Sequence, residues 1–333
     1  MSKEFIENTW QSNHPLGYLL LPLSWLYTLI ILLRRLAHQS GLIAVNELDV
    51  PVIIVGNISV GGTGKTPLVV WLAEYFKNKG FKPGIVSRGY GANLSGKTLQ
   101  VRPDSDPRSV GDEPVLIARK TNCPVAVAVK RRNAAEQLIE HYDCDLILCD
   151  DGLQHYSLAR DIEIAVVDGH RRFGNGRCLP AGPLREPLSR LESVDMVVSK
   201  YVAKRHEFKM EYSYGDLLSL TESRKTMPIS SLAGQTVHAI AGIGNPDRYF
   251  SYLRNQKLNI VIHEFPDHHV FSAEDLQFND DLPVVMTEKD AVKCTAFAKN
   301  NYWCLPITAT LPDAFAYRLD VLMKDLLDGQ KTA

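Results

Sequence analysis

The sequence predicts an α/β fold, with a mostly parallel sheet covered by helices on both faces and a smaller α/β domain after it. Short runs rich in valine and isoleucine alternate with helix-like stretches, and glycine, proline or aspartate bounds each run. Of the 333 residues, 45% are hydrophobic and 23% are charged, which excludes a disordered or low-complexity protein. The formal net charge of -1 provides no global basic field, so we expect no nucleic-acid partner. The six cysteines form no C-x-x-C pair and indicate buried thiols in a reducing compartment.

The N-terminal segment differs from the rest of the chain in composition. The eighteen residues from Leu16 to Leu33 carry no charge, and Arg34 and Arg35 follow them. A helix needs about twenty apolar residues to cross a bilayer, and Pro22 would weaken it. We therefore expect a membrane-associated helix that either spans the membrane or lies on it, with the arginines on the cytoplasmic side. An ordinary core helix is the alternative, and the absence of a small-residue cleavage site disfavours a signal peptide.

The strand-like runs fall into two sets, separated by a polar stretch at residues 203–214. The first set is Val52–Val55, Gly84–Val86, Val125–Val129, Leu146–Cys149, Ile162–Val167 and Met196–Val198. Helices are predicted at Pro67–Lys79 and Asp112–Lys120. The second set is Val237–Ala241, Ile260–His263, Val284–Thr287 and Trp303–Ile307. The predicted parts are a hydrophobic helix in residues 1–45, a core in residues 46–205 and a smaller α/β domain in residues 206–333.

A glycine-rich loop directly follows the first strand-like run. Residues 56–67 read GNISVGGTGKTP and lead into the apolar stretch LVVWLAEYF. A phosphate-binding loop needs small residues whose N–H groups turn inward, a lysine for the β- and γ-phosphates and a hydroxyl for magnesium. The residues that fill these roles are Gly61, Gly62, Gly64, Lys65 and Thr66. Ser59 stands where the general pattern G-x-x-x-x-G-K-[ST] has glycine, so the loop is a variant P-loop. It predicts a P-loop NTPase-like sheet that binds a nucleoside triphosphate.

A second motif ends a later strand-like run. The segment DLILCDDGLQH, residues 145–155, places Asp150 and Asp151 side by side. An acid at a strand end is typical of the second half of a P-loop site, where it orients magnesium. Neighbouring strand residues point to opposite faces, so one of the two could cap the next turn instead. The sequence leaves open which of them contacts the metal.

Two further motifs carry acids and histidines. In VGDEP, Asp112 and Glu113 open a predicted helix, as a cap and a first-turn acid commonly do. In FPDHHVF, Asp267, His268 and His269 occupy a turn. Adjacent histidines often face solvent, but this group could also form a general base or a metal site. Neither motif identifies a function alone.

Basic residues cluster in a loop-like segment at residues 169–190, among glycines and prolines. They are Arg171, Arg172, Arg177, Arg185 and Arg190, and a shorter basic run occupies residues 130–132. At the carboxyl edge of an open α/β sheet, such arginines suit an anionic substrate such as a phosphate ester. A solvated charged loop is the alternative.

Taken together, the motifs resemble the tetraacyldisaccharide 4'-kinase family, the lipid A 4'-kinases of Gram-negative bacteria. After the hydrophobic helix they run, in order, GNISVGGTGKTP, SRGYG, VGDEP, DDGLQH, RRFGNGRCLPAGPLREP, AGIGNP, FPDHH and TEKDAVK. Ser59 fits the family's own loop pattern. The resemblance implies an enzyme that transfers the γ-phosphate of ATP to the 4'-hydroxyl of a tetraacyldisaccharide 1-phosphate, which forms lipid IVA. It also implies the cytoplasmic face of the inner membrane, in a peripheral or monotopic arrangement, with no obligate protein partner.

The resemblance further implies roles for individual residues. ATP would be bound by Ser59, Val60, Gly61, Gly62, Thr63, Gly64, Lys65 and Thr66, with Lys65 on the β- and γ-phosphates. Mg²⁺ would be held by Thr66, Asp150, Asp151 and Gln154. Asp112 and His268 would cooperate in deprotonating the sugar hydroxyl, as a carboxylate–imidazole pair can. The acceptor's 1-phosphate or headgroup would be held by Arg171, Arg172, Arg177 and Arg185.

Two other functions are compatible with parts of the sequence. The loop VGGTGKT is similar to that of membrane-associated P-loop ATPases that act as switches and need no residues to activate an acceptor. TEKD, residues 287–290, suggests a GTPase, but guanine recognition by an asparagine–lysine–x–aspartate pattern would need a residue between Lys289 and Asp290.

Overall fold

The computed structural model describes residues 9–12, 14–89, 96–222 and 225–330, so Tyr90 and Gly91 of the SRGYG motif lie outside the described residues. The helices are α1 (Pro15–Leu19), α2 (Leu21–Gln39), α3 (Lys65–Asn78), α4 (Pro107–Val110), α5 (Asp112–Thr121), α6 (Arg131–Tyr142), α7 (Asp247–Asn255), α8 (Glu288–Cys294) and α9 (Asp313–Gln330). Short 3₁₀ helices occupy Leu188–Ser193, Ile229–Leu232, Glu274–Leu276 and Thr295–Phe297.

The strands are numbered in chain order. They are β1 (Val52–Gly56), β2 (Pro83–Ser87), β3 (Leu99–Val101), β4 (Val125–Val127), β5 (Leu146–Asp150), β6 (Ile162–Asp168), β7 (Met196–Lys200), β8 (Phe208–Tyr214), β9 (Leu217–Ser219), β10 (Thr226–Met227), β11 (Thr236–Ala241), β12 (Asn259–Glu264), β13 (Val284–Thr287), β14 (Tyr302–Leu305) and β15 (Ile307–Thr310).

The chain divides into two compact units, and each is built from separate stretches of sequence. The first unit comprises residues 1–88, 130–211 and 310–333, and the second comprises residues 89–129 and 212–309. The predicted single division near residue 205 placed residues 89–129 in the core and residues 310–333 in the C-terminal domain. The structure assigns each of these stretches to the other unit. For residues 89–129 the reason is long-range packing, since Lys120 of α5 forms a half-buried ion pair with Glu288 of α8.

In the first unit, the strands lie in the order β8-β7-β6-β1-β5-β2, and the neighbouring strands are parallel. Every residue of β1 is buried, as expected of a strand covered on both faces. α3 packs on the sheet through buried side chains such as Leu68, Leu72 and Phe76. Val55 of β1 lies opposite Asp150 of β5. The loop after β1 and the acids after β5 therefore share one edge of the sheet.

The second unit contains its own sheet, in the order β10-β9-β14-β13-β11-β12. Strands β14, β13, β11 and β12 are parallel, whereas β9 and β10 add in antiparallel fashion. Buried side chains of Val237, Leu253 and Val285 form part of one core, and Ile240, Phe271 and Met286 form part of another. β3 and β4 pair as antiparallel strands.

The predicted α/β class and parallel sheet are confirmed, and every predicted strand overlaps an observed one. The predicted run Trp303–Ile307 is two strands, because Pro306 has no N–H group with which to continue the ladder. Four short or half-exposed strands were not predicted: β3, β8, β9 and β10. β8 lies within the stretch that looked like a polar linker, since only Met210 among its seven residues is buried. All six cysteines are buried free thiols, as expected.

The N-terminal apolar segment forms two helices, α1 and α2, with a break at Leu20. Pro22 lies in the first turn of α2, where a backbone N–H would have no partner within the helix, so the proline does not disrupt it. One side of α2 is held by the first unit: the Ser24 hydroxyl donates to the Cys178 carbonyl (2.7 Å), and the Arg35 guanidinium donates to the Ser193 hydroxyl (2.8 Å). The other side exposes Leu23, Trp25, Leu26, Leu29, Ile30 and Leu33. Within the part of the chain that the structure describes, no helix has the length and hydropathy needed to cross a membrane.

Candidate active site

The P-loop begins where β1 ends and closes at the first residue of α3. Gly61 and Gly64 have φ angles of 108° and 98°, a backbone region that favours glycine. Ser59 instead lies in an extended bridge with Leu184, which explains why serine is accepted where the general pattern has glycine. The Val60 N–H donates to the Pro183 carbonyl (2.8 Å), and the Asn57 side chain donates to the Ser59 carbonyl (2.7 Å). The loop is therefore shaped by its neighbours before any ligand binds.

Lys65 and the acid pair meet at this edge of the sheet, as the sequence predicted. The Lys65 Nζ lies 3.4 Å from Oδ1 of Asp151, and Nη1 of Arg185 lies 3.1 Å from the same oxygen. Burial alone would raise the pKa of Asp151, but the charges of Lys65 and Arg185 lower it below its usual value. Asp151 is therefore a carboxylate at neutral pH. It has a φ of 50°, which turns the chain sharply after β5.

Asp150 and Gln154, also predicted to hold the metal, have different environments. Asp150 is the buried last residue of β5, only 1% exposed, and the Ser87 hydroxyl lies 3.5 Å from its Oδ2. The Gln154 amide nitrogen donates to the Asn57 carbonyl (3.0 Å) and to Oε1 of Glu186 (2.7 Å). The amide group of Gln154 thus helps to position the loop, while its oxygen remains the atom suited to a metal.

The four arginines predicted to bind the substrate have different partners in the structure. Arg171 approaches the P-loop, with its Nη1 3.9 Å from the position that a Cβ on Gly61 would take. Arg185 binds Asp151 as described above. Arg172 forms a bidentate ion pair with Glu207, with N–O distances of 2.6 and 2.8 Å. Arg177 stacks on the Tyr18 ring at 4.1 Å. Only Arg171 and Arg185 are therefore brought to the loop, and Arg172 and Arg177 have structural partners.

The second unit brings Asp112 and His268 together, although 156 residues separate them in the chain. Asp112 is the first residue of α5 after Gly111, and His268 lies in the turn after β12 with a φ of 62°. The Nδ1 atom of His268 lies 3.1 Å from Oδ2 and 3.2 Å from Oδ1 of Asp112. A carboxylate accepts only, so Nδ1 carries the proton and Nε2 is the atom left to take up another.

Charged neighbours set the protonation of this pair. Burial alone would raise the pKa of Asp112, but the hydrogen bond from His268 and the charges of Lys289 and Lys293 lower it. The hydrogen bond to Asp112 raises the pKa of His268 above its ordinary value, although burial and Lys289 act in the opposite direction. An imidazole backed by a buried carboxylate is the arrangement of a general base. An open pocket of about 300 Å³ lies beside the pair, lined also by Arg108, Phe271 and Lys293 of the same unit.

A strand–loop–helix phosphate cradle with an acid pair at the end of the neighbouring strand defines the chain as a P-loop nucleotide-binding protein. Comparison with known proteins narrows this class. The family described as "LpxK: Tetraacyldisaccharide-1-P 4'-kinase" matches residues 16–324. The chain therefore belongs to the tetraacyldisaccharide-1-P 4'-kinase family, and the resemblance inferred from the motifs is confirmed.

Relatives and a solved structure support the same assignment. A tetraacyldisaccharide 4'-kinase of Nitrosococcus oceani is 50% identical over 315 residues, covering 95% of this chain and 93% of the relative. That of Methylobacillus flagellatus is 48% identical over 328 residues, 98% of each chain. The crystal structure of the "apo" form of LpxK from Aquifex aeolicus in complex with ATP is 30% identical. It covers 93% of this chain and 99% of that one, with a TM-score of 0.79.

Three residues with direct roles in this geometry were not assigned by the sequence. Asn57 holds the P-loop, Glu186 accepts from Gln154, and the Nζ of Lys289 lies 3.1 Å from Nε2 of His268. Asn57 and Glu186 lie inside the quoted motifs, which placed them near a site. The sequence did not indicate which side chains they contact. Lys289 lies in the quoted motif TEKDAVK, but it was discussed only as part of an imperfect guanine-recognition pattern.

We predict that Asp112→Asn lowers the pKa of His268, because the neutral amide no longer stabilises the imidazolium. An NMR titration of the full chain, with the His268 signal assigned from its loss in His268→Gln, measures this directly. An unchanged or raised midpoint in Asp112→Asn would contradict the assignment of Asp112 as the partner of His268.

Proposed function

We propose that this chain transfers the γ-phosphate of ATP to the 4'-hydroxyl of a tetraacyldisaccharide 1-phosphate. Its family membership over residues 16–324 supports this reaction, and the contact between Asp112 and His268 is the observation that carries it within the structure. A nucleotide-dependent switch needs no base, whereas transfer to an alcohol needs a group that removes a proton. The phosphate cradle lies in the first unit, and the Asp112–His268 pair lies in the second.

In the proposed reaction, the 4'-oxygen of the sugar attacks the γ-phosphorus, and the bond between that phosphorus and the β,γ-bridging oxygen of ATP breaks. The hydroxyl proton passes to Nε2 of His268, and Asp112 stabilises the imidazolium that forms. Lys65 and the N–H groups of the P-loop balance the charge that develops on the phosphates. Catalysis of this kind consists mainly of positioning and charge neutralisation, and the products are ADP and the 4'-phosphorylated lipid.

The P-loop also fits Mg²⁺. The hydroxyl of Thr66 and the carboxylates of Asp150 and Asp151 are hard oxygen donors of the kind that Mg²⁺ prefers, and phosphates and water commonly complete its coordination. The Thr63 hydroxyl is buried without a hydrogen-bond partner among the described residues, which suits a loop that receives polar ligand atoms. When bound, the ion would neutralise charge on the β- and γ-phosphates. Gln154 would add an amide oxygen beside it.

We further propose that α2 attaches the enzyme to the cytoplasmic surface of the inner membrane. Its exposed side includes Trp25 at 66% and Leu29 at 52% exposure, side chains that favour the membrane interface. Arg34 is exposed next to this surface and can reach lipid phosphates, whereas Arg35 is bound to Ser193. The other side of α2 packs on the rest of the first unit, which contains the phosphate cradle. Attachment through α2 would therefore hold the cradle near the bilayer, where the acyl chains of the substrate keep the substrate.

We predict that the purified chain transfers label from [γ-³²P]ATP to an acylated disaccharide 1-phosphate, and that GTP does not replace ATP. In His268→Gln, lipid phosphorylation falls about 100-fold or more, because the base is lost, while ATP binding stays within a few-fold of wild type. Lys65→Met is the matched variant that loses ATP binding. Hydrolysis of ATP that is independent of lipid and unchanged in His268→Gln would instead identify a switch ATPase.

We predict that Trp25→Ser combined with Leu29→Ser weakens sedimentation with liposomes of anionic phospholipid about tenfold or more, since two large apolar side chains no longer enter the bilayer. Both side chains point away from the first unit, so ATP binding stays unchanged. Removing residues 1–40 would also expose the surface that α2 covers, so point variants test the attachment more cleanly. Val261→Ser combined with Ile262→Ser, exposed positions of the second unit, is the control. Equal sedimentation of wild type and the α2 variant would contradict the proposal.

A further inference from the structure

The ammonium group of Lys289 contacts Nε2 of His268, the ring nitrogen that accepts the proton in the proposed reaction. Its Nζ lies 3.1 Å from Nε2 of His268, whose other ring nitrogen faces Asp112. An ammonium group donates hydrogen bonds and cannot accept them, so Nε2 must present a lone pair to it. This contact therefore selects the neutral imidazole with its proton on Nδ1. That is the tautomer that can accept a proton from an alcohol.

The ammonium group is itself firmly held. The Nζ of Lys289 lies 3.0 Å from Asp267, 3.2 Å from Glu113 and 4.0 Å from Asp112, and the side chain is only 16% exposed. These carboxylates outweigh the effect of burial and raise the pKa of Lys289, so that it stays charged at neutral pH. The backbone is anchored as well, because the Thr287 hydroxyl caps α8 by accepting from the N–H of Asp290. The Asp290 carboxylate in turn accepts from the Thr287 hydroxyl and from the N–H of Gly242.

The charges around His268 show why a cation is needed there. The side chain that contacts it from α5 is Asp112 and that from α8 is Lys289, while Asp267 of its own turn lies 3.9 Å from its Nε2. Glu113 contacts Lys289, Lys293 lies near Asp112, and His269 lines the pocket beside the pair. Asp106 and Arg108 line the same pocket from the start of α4. Lys293 is the other buried cation, but it is directed to Asp290 (2.9 Å) and lies 4.0 Å from Asp112. Without Lys289, the carboxylates of Asp112 and Asp267 would favour an imidazolium with no ammonium group beside Nε2 to oppose them, and an imidazolium cannot act as a base.

We propose that Lys289 is a positioning residue for this reaction, which holds Nε2 of His268 as a proton acceptor and opposes protonation of the imidazole by solvent beside the carboxylates of Asp112 and Asp267. This rests on the proposed function, in which His268 takes the hydroxyl proton. As the acceptor hydroxyl arrives, it replaces Lys289 as the donor to Nε2. After proton transfer, the imidazolium and the ammonium repel each other, while Asp267 and Glu113 retain the ammonium. The repulsion favours return of the proton to solvent after product leaves.

The test compares the titration of His268 by NMR in wild type and in variants of the full chain. Lys289→Met is expected to raise the midpoint by about one pH unit or more, because the carboxylates then act unopposed. Lys289→Arg keeps the charge and is expected to leave the midpoint within a few tenths of a unit. Lys120→Met is the matched control, since it removes a half-buried ion pair between the same two helices, and Lys120 does not contact His268. It is expected to lower the unfolding temperature but not to shift His268.

Activity gives the second readout. A base must be unprotonated, so the acidic limb of kcat/KM for lipid phosphorylation is expected to move to higher pH in Lys289→Met, by the same amount as the NMR midpoint. Lys289→Gln, which also lacks the charge, takes its place if Lys289→Met does not fold. An unshifted His268 midpoint in these variants, or an equal shift in Lys120→Met, overturns the proposal. The titration needs no substrate, so it still decides the role of Lys289 if the chain phosphorylates no lipid.

Discussion

The nucleotide site depends on the parallel pairing of β1 with β5. Two parallel neighbours end at the same edge of a sheet, so the P-loop after one strand must face the acids after the other. The register that sets Val55 opposite Asp150 brings Lys65 to 3.4 Å from Asp151. The loop Pro183–Arg185 then closes on the P-loop backbone from the other side. The contact between Lys65 and Asp151 would be lost if β1 and β5 were not adjacent.

Each unit contains a largely buried aspartate whose carboxylate is stabilised by neighbouring cationic or hydrogen-bonding side chains. In the first unit, Asp151 remains a carboxylate because Lys65 and Arg185 lower its pKa. In the second, Asp112 remains a carboxylate because His268 and two lysines surround it. A buried charge is tolerated only when it is paired, and here the pairs consist of groups that also suit the proposed chemistry. The phosphate cradle presents positive charge, and the imidazole presents a lone pair.

Local patterns predicted the parts of the structure that local physics determines. Runs such as Val52–Val55 are buried on both faces, and the P-loop depends on glycines within a few residues of one another. The contact between Asp112 and His268 joins residues that no spacing rule connects, and only the family resemblance indicated it. Charge clustering in residues 169–190 could not show that Arg172 pairs with Glu207 while Arg171 approaches the loop. The two α/β parts were predicted, but residues 89–129 and 310–333 were assigned to the wrong ones, because their placement depends on packing between distant segments.

We propose that the phosphoryl group passes directly from ATP to the sugar hydroxyl, while His268 accepts only a proton. The most direct measurement uses ATP made chiral at the γ-phosphorus with oxygen isotopes, followed by analysis of the phosphorylated lipid. A single displacement with attacking and leaving oxygens in line predicts inversion of configuration at phosphorus. Retention would contradict this proposal, because it requires two displacements and therefore a phosphorylated side chain as an intermediate.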